Sequence, residues 1–414
     1  MINQKLITLL VFSFIFFLSL GLWSGGAHSD ASDYITLSIQ IVKQSDWSQL
    51  LMLTNGREVF SLWLFILVIF MKIFGPFWQV AIIVTALFGT LNIFLFYQIL
   101  NFYFKDLTSF LISICLSLSP AYIVIAHNSL YDAFFIFFYL AFLYFYLKGI
   151  GKNNNSNIEI IIAGIIGSFL VIIHGSGYPY ILFLWLFFPV FYAYEKKLFY
   201  KWIIFSISVG FIPVLQIFIW KFYIYDSFFP YFNLYDDWAV ERLKNYKDGF
   251  EIRHYFRFIL MLLAGYTPII LISICYFIFK PNFKYQKSYL IFLILIFSTL
   301  IFSYFFNSSF NLIFFIVINF MFIYHFKSQL IKINALVAFF GFMSIFTFYS
   351  FLSFFPVPYF HQKHFVYPIL FGIPVYWYVC NELKINNQNI FIIYMSSIII
   401  QFLFSLYFIL PNNK

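Results

Sequence analysis

Two aspartates, Asp30 and Asp33, follow the first apolar run of the chain, in the stretch Gly25-Gly26-Ala27-His28-Ser29-Asp30-Ala31-Ser32-Asp33-Tyr34. A carboxylate held where water meets a membrane can take the proton of a hydroxyl as a general base. The same residue types also serve as helix N-caps and solvated loop acids, and one of the two aspartates fits that plainer role. Asp132 opens a later apolar run, directly after His127-Asn128-Ser129. An ionisable group at such a point is either an interface anchor or part of a binding site. His174, ahead of Gly175-Ser176-Gly177, reads either as a helix end with a tight glycine turn or as a functional histidine. Lys363 and His364 close the compact segment Pro356-Val357-Pro358-Tyr359-Phe360-His361-Gln362-Lys363-His364. A fixed positive charge there suits a lipid phosphate at the membrane edge; a snorkelling lysine among interface aromatics is the equal alternative. Arg253, Arg257 and Arg57 beside Glu58 carry the same two readings.

Elements able to hold these groups follow from composition. The 414 residues are 63% hydrophobic and 9% charged, with a mean hydropathy of +0.92. Soluble domains carry about 25% charged residues, so an ordinary soluble globule is excluded. Apolar runs of roughly 18–25 residues recur along the chain, as in polytopic helical membrane proteins. A lone span must satisfy its own backbone hydrogen bonds, which selects helices. The fold class expected is therefore an all-α polytopic integral membrane protein, one transmembrane domain over 1–414. The 66 Phe and 32 Tyr read as gene composition rather than a special aromatic function. Cys115, Cys275 and Cys380 all fall inside apolar runs, which points to neither a disulfide framework nor a zinc site. The run over 6–23 lacks a small-residue cleavage site and is read as a retained first span.

Thirteen spans are expected, at about 5–23, 79–101, 107–126, 131–148, 158–175, 178–194, 202–222, 257–279, 288–306, 310–326, 334–355, 365–381 and 390–410. Some connections are short and lysine-bearing, such as Lys148 with Lys152, Lys196-Lys197 with Lys201, and Lys280 with Lys284 and Lys287. The positive-inside rule places them in the cytoplasm. That parity puts the N-terminus inside and the C-terminus outside, with the short apolar run 59–75 lying in or dipping into the outer interface; the alternative is a true crossing there with one span missed or false elsewhere. A reporter fused near residue 104 then gives an internal signal; an external one overturns this topology. Asp106, Glu159, Glu195 and Glu382 face inside and the other eleven of the fifteen acids face outside, so the chemistry is expected on the outer face. Two large outer loops, 24–78 and 223–256, carry interfacial helices. In the first, Tyr34, Leu37 and Ile41 recur at helical spacing after a Ser32 or Asp33 N-cap.

An outer first loop in which Asp30 is followed, after three residues, by Tyr34 resembles the GT-C superfamily of membrane glycosyltransferases. Arg57-Glu58-Val59-Phe60 with the run to Phe74-Gly75 is similar to that family's second juxtamembrane segment, and Pro120, Asn128-Ser129 and Asp132 are similar to its pattern around the third and fourth spans. The likeness covers about residues 1–200, with a weak echo at 356–374. The family often has a second acid directly after the first; here that position is Ala31, and the next acid is Asp33. The resemblance implies an enzyme that takes sugars from polyprenyl-phosphate carriers, with Asp30 ahead of Asp33 as the catalytic base. Together with the charges read above, the substrate-binding candidates are His28, Tyr34, Arg57, Glu58, Asp132, His174, Arg253, Arg257, Lys363 and His364. Asp132 has the chemistry to hold a donor phosphate through a divalent metal, although no pair of acids has metal-site spacing. The nearest subclass is the O-antigen glucosyltransferases of serotype conversion, which use lipid-linked glucose to modify lipopolysaccharide. That reading sets loops 24–78 and 223–256 in the periplasm of a bacterial inner membrane. The partners are then the lipid-linked donor, a glycan acceptor and the bilayer, with no nucleic acid. The alternatives are a polymerase of lipid-linked O-antigen or exopolysaccharide repeats, and a lipid-linked glycan transporter. The transporter reading expects charges near the midplane of spans and an inverted repeat, and the sequence displays neither.

Overall fold

A computed structural model of the chain describes residues 4–25, 29–47, 62–128, 131–150, 157–173, 181, 196–219, 222, 370, 373–374, 376–377, 380–381 and 384–409. These residues form helices α1 (Gln4–Ser24), α2 (Ser29–Gln44), α3 (Leu62–Phe74), α4 (Trp78–Leu100), α5 (Asp106–Ser117), α6 (Pro120–His127), α7 (Asp132–Ile150), α8 (Ile158–Ile173), α9 (Lys196–Ile219) and α10 (Asn387–Ile409). No strand occurs among them. By length and composition α1, α4 and α7 are apolar enough to cross a membrane. The spans expected at 178–194, 257–279, 288–306, 310–326 and 334–355, and the loop 223–256, lie outside the described residues.

The chain divides into two compact units, 1–102 with 125–249, and 103–124 with 250–414. In the first, α1 and α4 run in opposite directions: Gly21 meets Ile82 near the start of α4, and Phe17 lies by Gly89 two turns on. The outer side of α1 exposes Ile7, Val11, Phe12 and Ile15, a stripe that in water would be an apolar patch and that suits lipid. Its C-terminus closes on Gly25, whose φ of 76° is the left-handed conformation glycine adopts freely at helix ends.

Helix α2 begins at Ser29, so Ser32 and Asp33 sit inside it and not at its N-cap. Ser29 and Asp30 are themselves first-turn residue types, and they start the helix one turn earlier than expected. Ala31, Ile35, Ser38 and Ile41 are buried along one face, while Asp33, Thr36, Gln40 and Lys43 are exposed. That face packs on α3: Ile41 joins Leu64 and Val68, with Tyr34, Leu37, Val42 and Phe65 around them. Helix α3 has 13 residues, about 20 Å at 1.5 Å per residue, against a hydrocarbon core of roughly 30 Å. It ends where Gly75, at φ 101°, donates its N–H to the Met71 carbonyl; Pro76 and Phe77 then lead into α4.

The run expected as one span over 107–126 is two helices, α5 and α6, bent by 69°. Ser119-Pro120 explains the break. The residue before a proline is pushed out of helical backbone, and proline is well placed at the first position of a new helix. Helices α8 and α9 approach closely through small residues, as membrane helices do. A Cβ on Gly164 would stand 3.1 Å from the Val209 nitrogen, and the Ser168 hydroxyl reaches the carbonyls of Ser208 and Val209 at 2.9 and 3.1 Å.

In the second unit α5 packs on α10. The Asn387 side chain accepts from Trp377 Nε1 at 3.0 Å and donates to Thr108 Oγ1 at 3.2 Å. Asn386 caps α10 by accepting the Asn389 N–H at 2.8 Å. Cys115 and Cys380 are buried free thiols.

Candidate functional site

Three helices of the first unit bring polar side chains to the opening turn of α7. Asp132, the first residue of that helix, is 4% exposed. Its preceding residue, Tyr131, meets Tyr34 of α2 edge to face, with ring centroids 6.3 Å apart. Asp30 stands one helical turn before Tyr34 on α2. The Tyr34–Tyr131 contact therefore joins the acidic opening of α2 to the Asp132 turn, two segments about 100 residues apart. Asp33 is exposed on the same helix.

Helix α4 supplies Asn92, fully buried, whose Nδ2 donates to the Ala133 carbonyl at 2.9 Å. Helix α3 supplies Trp63, 1% exposed, with its ring 5.4 Å from that of Phe134. Asn92 Oδ1 and Trp63 Nε1 are buried and find no hydrogen-bond partner among the described residues. Such atoms are uncommon, because each buried polar group left without a partner costs about 1–3 kcal/mol. The surroundings are aromatic: Phe88 meets Phe134 at 4.8 Å and Phe137 at 5.2 Å, and Phe138 lies 4.9 Å from Phe134.

The register of α7 sets where along α4 this turn lies. Phe88 lies against Phe134, Asn92 against Ala133, and Phe102 stacks on Tyr144 at 5.4 Å. Helices α4 and α7 thus run in the same direction, with α7 displaced along α4. Asn92 is roughly 14 residues past Trp78, about 21 Å along the axis. Asp132 therefore sits beside the middle of α4 and not level with its start. Nearby, Gly21 of α1 permits close approach: a Cβ there would stand 2.8 Å from the His127 carbonyl oxygen.

At the far end of α7 the charges are structural. Lys148 pairs with Glu159 at 3.7 Å, and Lys201 Nζ donates to the Gly149 carbonyl at 2.6 Å. Lysine near a helix C-terminus also complements the helix dipole.

Of the residues singled out in the sequence, the structure gathers Tyr34 and Asp132 with the α2 turn that holds Asp30. The side chain of Asp30 and the residues His28, Arg57, Glu58, His174, Arg253, Arg257, Lys363 and His364 lie outside the described residues. No three His, Cys, Asp or Glu side chains gather as a metal site among the described residues. Trp63 and Asn92 are not legible as site residues in the sequence; the only signal is one amide in the middle of an apolar run. No protein-family model, curated protein or solved structure matches the chain.

Proposed function

We propose that the protein is a membrane glycosyltransferase of GT-C type. It moves a hexose, glucose first, from a polyprenyl-phosphate carrier to a glycan acceptor such as the O-antigen of lipopolysaccharide, on the periplasmic face of a bacterial inner membrane. The observation that carries the reading is the Tyr34–Tyr131 contact, which joins the helix bearing Asp30 to the buried Asp132 turn. A buried carboxylate, Asp132, close to aromatic rings gives a polar site with apolar walls, the usual character of a ligand site. In the reaction, Asp30 takes the proton of an acceptor hydroxyl. The hydroxyl oxygen attacks the anomeric carbon, and the bond from that carbon to the phosphate oxygen breaks with its electrons leaving on the lipid phosphate. Direct displacement inverts the anomeric configuration. Lys363, His364 and the outer arginines Arg57, Arg253 and Arg257 are the cations available to the phosphate.

The test uses full-length protein in nanodiscs, radiolabelled polyprenyl-phosphate glucose and lipopolysaccharide. Transfer is expected in the wild type. Asp30→Asn is expected to lower the rate roughly 10²–10⁴-fold, the range for loss of a general base, and Asp33→Asn to leave most of it. Near-full activity in both variants overturns the catalytic assignment, and no transfer by the wild type overturns the reaction.

A further inference from the structure

We infer that Trp63, Asn92 and Asp132 form a buried subsite for a sugar hydroxyl, in which Trp63 Nε1 donates to the hydroxyl and Asn92 Oδ1 accepts from it. The subsite rests on the glycosyltransferase reading for the identity of the sugar. Three observations carry it. Both Trp63 and Asn92 touch the same turn of α7, through the Phe134 ring and the Ala133 carbonyl. Each is at least 99% buried and offers one polar atom without a partner among the described residues. The two atoms are of opposite kind, a donor and an acceptor.

That pairing selects the ligand. A metal cation takes oxygen acceptors and has no use for an indole N–H. An anion takes donors and is repelled by the neighbouring carboxylate of Asp132. A hydroxyl is donor and acceptor at once, and so satisfies both atoms; a buried water does the same and is the outcome the test must separate from it. The rings of Phe88, Phe134 and Phe137 supply the apolar walls within which a few polar groups fix a ligand's orientation. Asp132, at the head of the same turn, is the acceptor for a second hydroxyl. Asn92 also clamps the Ala133 carbonyl, so it positions Asp132 as well as contacting the sugar.

Binding is read apart from turnover, by calorimetric titration of polyprenyl-phosphate glucose, and of the galactose and mannose forms, into full-length protein in nanodiscs. Trp63→Phe removes the donor with little change of shape, and Asn92→Leu removes the acceptor. Each is expected to weaken binding of the favoured glycolipid about five- to tenfold, the worth of one neutral hydrogen bond. The unfolding midpoint of Trp63→Phe stays near that of the wild type. A glycolipid lacking one sugar hydroxyl is expected to lose a similar factor with the wild type and nothing further with Trp63→Phe. That arm needs only the wild type and one mild variant, so misfolding of Asn92→Leu leaves the test intact. If both variants bind as tightly as the wild type, or if every deoxy analogue binds like its parent, the two atoms hold a buried water only and the subsite is overturned, whether or not transfer occurs. A wild type that binds the glycolipid and responds to Trp63→Phe yet transfers nothing overturns the reaction and leaves the subsite standing. A wild type that binds none of the three glycolipids overturns the subsite.

Discussion

The two ends of α7 are built on opposite terms. At the C-terminal end the two lysines reach partners across neighbouring helices, Lys148 the Glu159 carboxylate and Lys201 the Gly149 carbonyl. These contacts tie α7, α8 and α9 together and ask nothing of a ligand. At the N-terminal end, Asn92 Oδ1 and Trp63 Nε1 are buried among aromatic rings beside Asp132, with no partner among the described residues. A design for stability alone would place apolar atoms there, because a buried polar atom without a partner is a net cost. The contrast separates charges that hold the bundle from polar groups kept at its expense, and the second kind is where a function is expected.

Substitutions at the two ends test that contrast. Asp132→Asn is expected to lower sugar transfer roughly ten- to hundredfold, the worth of a hydrogen bond to a charged group, with the unfolding midpoint close to wild type. A loss of stability in place of activity would make this end structural as well. Gly21→Leu is next. Its side chain meets Ile82 and the His127 carbonyl, and overpacking of this kind costs about 1–3 kcal/mol. Thermal unfolding in nanodiscs and the transfer rate should both fall, since α1 is pushed from the segment leading to Asp132. Lys201→Met should reverse the pattern of Asp132→Asn. Stability falls by about 1–3 kcal/mol with loss of a buried charged hydrogen bond, while transfer per folded molecule is unchanged. Lower activity per folded molecule would break the comparison. Lys148→Ala is the mildest: the lysine is half exposed, and such pairs contribute about 0–1 kcal/mol. A midpoint shift within a few degrees and unchanged transfer are expected.

How much of this was legible in the sequence varies by residue. The apolar runs at 5–23, 79–101 and 131–148 are α1, α4 and α7 within a few residues, because the bilayer length and the helix rise leave little freedom in reading them. Ser119-Pro120 carried the break between α5 and α6 in plain sight, but a hydropathy window averages across it. The amphipathic face of α2 was legible in outline. Its buried line runs through Ala31, Ile35, Ser38 and Ile41, with Tyr34 and Leu37 at the margin, because α3 packs against that side of the helix. Asp132 was visible as a lone acid at the head of an apolar run, and its burial against the middle of α4 was not. Trp63 carried no readable signal, and Asn92 only that of an amide within an apolar run, because a tryptophan and an amide there look like packing.

The sequence by itself determined the class of the molecule, apolar helices suited to a bilayer, and it located the acidic turn from Asp30 to Tyr34. Both are local properties, set by hydropathy and by the spacing of neighbours along one helix. Tertiary structure alone decided that Tyr34 meets Tyr131, that α7 starts beside the middle of α4, and that Trp63 and Asn92 both touch one turn. The reason is that helices which are apolar on nearly every side can slide and rotate against one another at little cost in buried area. Their register is chosen by close contacts such as Gly21 on His127 and Gly89 on Ala126, between residues far apart in the chain.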